Sequence, residues 1–193
     1  MKLEEAGDKQ IGDTEWLLNT VKQNGRSEFV LKYVNKKLKR YFDISSNDIH
    51  IEKKINSNLE ITGINSPTTP DFIIPKHNII GDIKAGIKFE ITYPLTCAGY
   101  AIAYENEYEV DINWGVIYFI PIHTNSKYSR VITYPQVHFF PIDNRLRQWF
   151  LDIRDEAYQT IAQKQPPKFP SDMNYCPRCK YKEYCISKGL ELE

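Results

Sequence analysis

Residues 70–84 read PDFIIPKHNIIGDIK, and the fold is decided there. The apolar runs DFII and IIGDIK flank PKHN, whose proline and asparagine suit a turn, so the stretch predicts a β-hairpin. Side chains alternate along a strand, which puts Asp82 and Lys84 on one face. The hairpin partner then brings Asp71 beside them.

Outward from the hairpin, residues 26–42 (RSEFVLKYVNKKLKRYF) fit a helix, with Val30, Val34, Leu38 and Tyr41 at helical spacing. Residues 48–55 alternate as a strand with one buried face should. Residues 95–109 read as a helix, in which Gly99 is a cost. WGVIYFIPI, 114–122, is apolar almost throughout, as expected of a central strand covered on both faces. A further strand follows near 130–140, interrupted at Pro135. Asp143 is placed to N-cap the helix NRLRQWFLDIRDEAYQTIAQK, and PPKFP stops it. The order predicts an α/β fold, a mixed central sheet flanked by helices. We divide it into a core over 1–165 and a Cys-rich tail over 166–193.

Composition narrows the function. The chain has 193 residues, 41% hydrophobic and 26% charged, as in ordinary globular domains. Lys+Arg and Asp+Glu are both 25, which argues against a basic nucleic-acid coat but leaves room for a local basic groove. No apolar run approaches a membrane span, and the polar, acidic N-terminus is not a signal peptide. The expectation is a cytoplasmic protein whose four cysteines stay reduced and act as metal ligands or buried thiols.

Two carboxylates and a lysine on one face are expensive to bury without partners. A divalent cation offsets that cost, because Mg²⁺ or Mn²⁺ prefers hard oxygen ligands. Asp71, Asp82 and the backbone carbonyl of Ile83 offer three. Such a metal lowers the pKa of bound water and neutralises charge building on a phosphodiester. Lys84 would orient the attacking water or stabilise the transition state. Asp-x-Lys on a strand is also a common surface ion pair, but the apolar setting of IIGDIK argues for the site. Glu28 on the first helix, and Glu52 and His50 on the first strand, are the candidates to complete it. His77, His123 and His138 are assigned no role.

The tail contains CPRCKYKEYC, in which Cys176, Cys179 and Cys185 have C-x2-C-x5-C spacing. Three thiolates so spaced nearly close a tetrahedral shell. Zinc would accept a cysteine or histidine as the fourth ligand, and an iron–sulfur cluster usually takes four thiolates. The remaining cysteine is Cys97, either that fourth ligand or a small buried apolar residue. Tyr175, Tyr181 and Tyr184 interleave with Arg178, Lys180 and Lys182, a pattern suited to stacking on unpaired bases. NKKLKR, 35–40, reads rather as a solvated helix face.

Pro70-Asp71 with Asp82-Ile83-Lys84 resembles the signature of the PD-(D/E)XK nuclease superfamily, whose core is restriction-endonuclease-like. Within it the chain is similar to the RecB-like nucleases, which carry Q-x-x-x-Y on the helix after the lysine strand. Here that stretch is Thr96-Cys97-Ala98-Gly99-Tyr100: the tyrosine matches and the glutamine does not. The resemblance implies that Tyr100 helps hold DNA. With the C-terminal cysteines, and with AGYAIAYE, WGVIYFI and LRQWFLDIRDEA, the chain looks most like the CRISPR-associated RecB-like exonucleases of the archaeal type I-A group. That resemblance covers roughly residues 45–185. It implies an iron–sulfur cluster on Cys176, Cys179, Cys185 and, in place of the family's N-terminal cysteine, Cys97, with zinc as the alternative. It also implies a Mg²⁺- or Mn²⁺-dependent exonuclease or endonuclease on single-stranded DNA, working in CRISPR adaptation with the integrase proteins. The rivals are a non-catalytic DNA-binding or assembly subunit and a zinc-binding interaction protein.

Overall fold

The computed structural model describes residues 35–39, 42–63, 65–125, 129–132, 135–162, 179 and 182–187. Its elements are α1 (Asn35–Leu38), β1 (His50–Ile51), α2 (Leu59–Thr62), β2 (Phe72–Ile74), β3 (Ile79–Gly86), α3 (Tyr93–Tyr108), β4 (Trp114–Asn125), β5 (Ser129–Ile132), β6 (Gln136–Pro141), α4 (Asn144–Ala162) and α5 (Lys182–Ser187). The expected hairpin is β2–β3. Its turn is one 3₁₀ turn over Pro75–His77, and Asn78 then takes a left-handed conformation, φ 55°. Asparagine tolerates that region better than most residues. The Asn78 carbonyl also accepts from the N–H groups of Asn113 and Trp114, both at 3.0 Å, and so ties the start of β4 to the start of β3.

The sheet is mixed, as expected. β1, β2 and β3 pair antiparallel, β3 and β4 run parallel from Ile79↔Trp114 to Gly86↔Pro121, and α3 makes the crossover between them. The strand expected near 130–140 is two strands on either side of the Pro135 interruption. β6 pairs with the first half of β4 and β5 with its far end. The strand expected over 48–55 is shorter than its alternation suggested. Glu52 sits at φ 46° and ends β1, while Ser46–Asp48 form a 3₁₀ turn in which the Ser45 N–H donates to Asp48 Oδ2 at 2.8 Å. Of the helix expected over 26–42, Asn35–Leu38 is described as helix, with Leu38 buried.

Alternation splits the core between the two sheet faces. Phe72, Ile74, Ile79, Ile83, Val116, Tyr118 and Ile120 pack on one face with Leu38, Ile44 and Ile49. Ile73, Ile80, Ile117 and Phe119 pack on the other against α3 and the start of α4. Helix α3 buries Cys97, Ala98, Gly99 and Ala101, small residues that allow close approach to its neighbours. At Gly99 a Cβ would lie 2.6 Å from the Phe150 ring, so the glycine that weakens the isolated helix is what lets α4 cross it. Asp143 does cap α4, accepting from the Leu146 N–H at 2.9 Å.

Across β2–β3, Phe72 pairs with Gly81 and its ring covers the glycine: an added Cβ would lie 2.0 Å from the ring. Gly81→Ala is therefore expected to destabilise the fold by about 1–3 kcal/mol through overpacking. Pairing it with Phe72→Leu should restore part of the loss in a denaturant titration. A Gly81→Ala chain as stable as the parent would contradict this packing.

The described residues fall into two compact units that divide after Asp155. Among the described residues, no helix is long and apolar enough to cross a membrane.

Candidate active site

The antiparallel register Phe72↔Gly81 sets Asp71 opposite Asp82, just where the β2 ladder ends. The Ile83 N–H, past that ladder, is taken up by side chains: Asp71 Oδ2 accepts it at 2.6 Å and Asp82 Oδ1 at 3.0 Å. Asp71 and Asp82 are only 2% and 3% exposed. Two buried carboxylates thus converge on one backbone nitrogen. Lys84, two residues along the same face, holds its ammonium 2.5 Å from Asp82 Oδ2. That contact is an ion pair by distance, without the alignment of a hydrogen bond, since Oδ2 is buried and accepts no aligned donor. The Lys84 ammonium also lies 5.9 Å from the centre of the Tyr93 ring on α3. The three residues that the hairpin was expected to bring together are together.

One lysine does not neutralise two buried carboxylates, and an oxygen without an aligned donor suits a cation. The donor chemistry therefore fits a hard divalent ion on Asp71, Asp82 and the Ile83 carbonyl. No group of three His, Cys, Asp or Glu side chains that could hold a metal occurs among the described residues. The side chain that would complete such a shell is sought among Glu28, Glu52 and His50. Glu28 lies outside the described residues. Glu52 donates its backbone N–H to the Asp71 carbonyl at 3.1 Å, but it is exposed at the turn that ends β1. His50 pairs with Ile73, two residues from Asp71, and its Nδ1 is buried with no hydrogen-bond partner. Burial, with the charge of Lys53 behind it, holds the His50 imidazole below its usual value of 6.5, in the neutral form that binds metals. The orphan nitrogen singles out His50 from His77 and His138, whose Nε2 atoms lie 3.1 Å from the Asp43 carbonyl and 3.2 Å from Gln136 Oε1, a signal that alternation alone does not carry.

Cys97 is fully buried on the core-facing side of α3. Burial, and after it the negative charge of Asp82, pushes its thiol well above the usual range. Cys97 therefore backs the acid pair as a neutral thiol. Of the tail cysteines, Cys179 is exposed and Cys185 half-buried on α5, and both are free; Cys176 lies outside the described residues. The Lys182 N–H donates to the Cys179 carbonyl at 3.2 Å and closes the turn between them. Whether the three thiols converge falls outside the described residues, as do Tyr175, Arg178, Lys180 and Tyr181.

Aromatic rings wall the site beyond Lys84. Phe89 lies edge-on to Tyr93 and Phe119, and its centre is 4.1 Å from that of His138. Burial lowers the His138 imidazole below 6.5. The sign follows from linkage: the unfolded chain binds the proton more readily, so stability is full above about 6.5 and declines as pH falls through the folded value. The melting temperature should drop on acidification, and His138→Gln should flatten part of that drop. An unchanged pH profile in the variant would contradict it.

Tyr100 and Thr96, one turn apart on α3, line a cavity with Phe150 and Ile153 of α4. No sequence pattern announced this cavity, because its wall is assembled from segments far apart in the chain.

The family model described as CRISPR-associated exonuclease Csa1 matches residues 10–188. A protein of Saccharolobus solfataricus, named CRISPR-associated exonuclease Csa1, is 30% identical over 102 residues. The alignment covers 53% of this chain and 33% of that protein, so the chain matches about a third of its relative's length. A chain solved from Eubacterium rectale as a candidate exonuclease superposes with a TM-score of 0.46 at 9% identity, over 95% of this chain and 76% of that one.

Proposed function

The chain belongs to the CRISPR-associated exonuclease Csa1 family, and from that premise we propose that it is a Mg²⁺- or Mn²⁺-dependent deoxyribonuclease that favours single-stranded DNA. The observation that carries the reading is the convergence of Asp71 and Asp82 on the Ile83 N–H with Lys84 against Asp82. Asp71, Asp82 and the Ile83 carbonyl would hold the ion, with His50 as the side chain best placed to join them. When bound, the metal supplies an acidified water and neutralises charge on the phosphodiester. Lys84 keeps its ammonium at the edge of the acid pair, where it orients the water and meets the negative charge that builds on the phosphate. The Phe89–Tyr93–Phe119 wall keeps that ammonium against an apolar surface, which strengthens its field.

Cys176, Cys179 and Cys185 are read as ligands of an iron–sulfur cluster, with zinc as the alternative. The cluster would hold the tail in place rather than take part in hydrolysis. Cys97 is the candidate fourth ligand by count, although its burial beside Asp82 suits a core thiol better. Protein purified without oxygen should absorb visible light if the cluster is present; a colourless, zinc-containing protein would select the alternative. The setting we infer is cytoplasmic CRISPR adaptation, where DNA is trimmed before integration by partner integrase proteins.

A second reading, a DNA-binding subunit without catalysis, is favoured by Thr96 where the RecB-like pattern has glutamine. One comparison separates them: end-labelled single-stranded and duplex DNA, each with Mg²⁺, Mn²⁺ or EDTA. Single strands should be consumed in either metal and spared in EDTA. Binding without cleavage in every metal would select the second reading.

A further inference from the structure

Lys84 stands between two attractors. Its ammonium is 2.5 Å from Asp82 Oδ2 and 5.9 Å from the centre of the Tyr93 ring. The second distance is within the reach of a cation–π contact. The Lys84 side chain is 29% exposed against 4% for Asp82, so the lysine has more space to move than the acid. A divalent ion on Asp71 and Asp82 would take the oxygen that now attracts the lysine, and its double charge would repel the ammonium. The face of the Tyr93 ring keeps its pull, because the ring quadrupole does not depend on the carboxylate.

That ring is itself held in place. Tyr93 opens α3, and its N–H donates to the Glu90 carbonyl at 3.0 Å, closing the turn before the helix. Its ring lies edge-on to Phe89, with centres 5.3 Å apart and planes at 80°, and its centre is 6.1 Å from that of Phe119. Phe119 is the register partner of Lys84 on β4. Phe89 is the half-buried anchor of a loop in which Ile87 and Ile91 are 71% and 72% exposed. It also meets His138 of β6, with ring centres 4.1 Å apart. A row of rings thus runs from Lys84 across the sheet to β6.

We propose that the Tyr93 ring receives the Lys84 ammonium when a divalent ion takes Asp82 Oδ2, and that Phe89 and His138 are positioning residues that hold this ring. The lysine then stays beside the site instead of swinging into solvent. The proposal rests on the metal-site reading above.

The test follows the lysine itself, by NMR of the lysine ε-methylene groups in the full chain, with the Lys84 signal identified by its loss in Lys84→Ala. Adding Mg²⁺ to the parent should move that signal upfield, as the group comes over the ring face. In Tyr93→Leu the upfield movement should be lost. Single-turnover cleavage at saturating Mn²⁺ should fall roughly tenfold in Tyr93→Leu, the scale of one partly desolvated cation–π contact. Tyr93→Phe, which keeps the ring, should restore most of the rate. Phe89→Leu and His138→Ala should each lower the rate less, and neither should lower it further when combined with Tyr93→Leu, because they act through that ring. A parent signal that Mg²⁺ binding leaves in place, or parent rates in Tyr93→Leu, would overturn the proposal. Ion binding and cleavage without movement of Lys84 defeat this proposal alone. A parent chain that binds no divalent ion defeats the metal-site reading and this proposal with it. Movement of Lys84 without cleavage in any metal defeats the nuclease reading and leaves the proposal standing.

Discussion

Asp82→Asn should reduce single-turnover hydrolysis of single-stranded DNA by roughly 10²–10³-fold, the scale for losing one group that stabilises a charged transition state. Lys84→Ala should lose activity on the same scale. The two variants should part company in stability. Asp82→Asn relieves the repulsion between two buried carboxylates held at one nitrogen, so its melting temperature should equal or exceed that of the parent. Lys84→Ala leaves both acids buried without their cation, so its melting temperature should fall in EDTA and recover on adding Mn²⁺. Full activity in either variant, or loss of folding in Asp82→Asn, would contradict these roles.

The second large effect lies away from the site. Arg147 donates to Glu105 Oε1 at 2.6 Å, to the Ile112 carbonyl at 2.9 Å, and to the Ile142 carbonyl. The same Glu105 oxygen accepts the Ile112 N–H at 2.8 Å. One ion pair thus pins the turn after α3, the entry to β4 and the start of α4. Both side chains are about one-fifth exposed, 21% and 23%, so the cost of breaking the pair sits below that of a fully buried one. Arg147→Ala should destabilise the fold by about 2–3 kcal/mol, since charged hydrogen bonds are lost and Glu105 is stranded. Arg147→Lys should recover only part, because an ammonium lacks the planar fork that reaches several acceptors at once. A shift below about 0.5 kcal/mol in urea unfolding, the range of ordinary surface substitutions, would refute the pinning role.

Much of this architecture was legible because its causes are local. The hairpin 70–84 has turn residues between apolar runs, β4 is apolar on both faces, and Asp143 stands where a cap is needed. The acid pair was legible for the same reason: a two-residue period and one hairpin register bring Asp71, Asp82 and Lys84 together. What escaped depends on partners distant in sequence. Gly81 reads as a weak point until Phe72 is seen to cover it, and Gly99 until Phe150 is. The left-handed turn at Glu52 cut short a strand that alternation extended to residue 55. Arg147 and Glu105 belong to two separate helical patterns, neither of which names the other.

If Asp71 and Asp82 hold a divalent ion that, with Lys84, hydrolyses DNA, then metal occupancy and cleavage must move together. Mn²⁺ binding to the full chain can be followed by electron paramagnetic resonance, with cleavage of a single-stranded oligonucleotide read on the same samples. Cleavage should rise in step with Mn²⁺ occupancy, Asp71→Asn and Asp82→Asn should weaken that occupancy, and cleavage should fall with it. Cleavage at the parent rate in folded Asp82→Asn, or no cleavage by the parent chain at full Mn²⁺ occupancy, would contradict it.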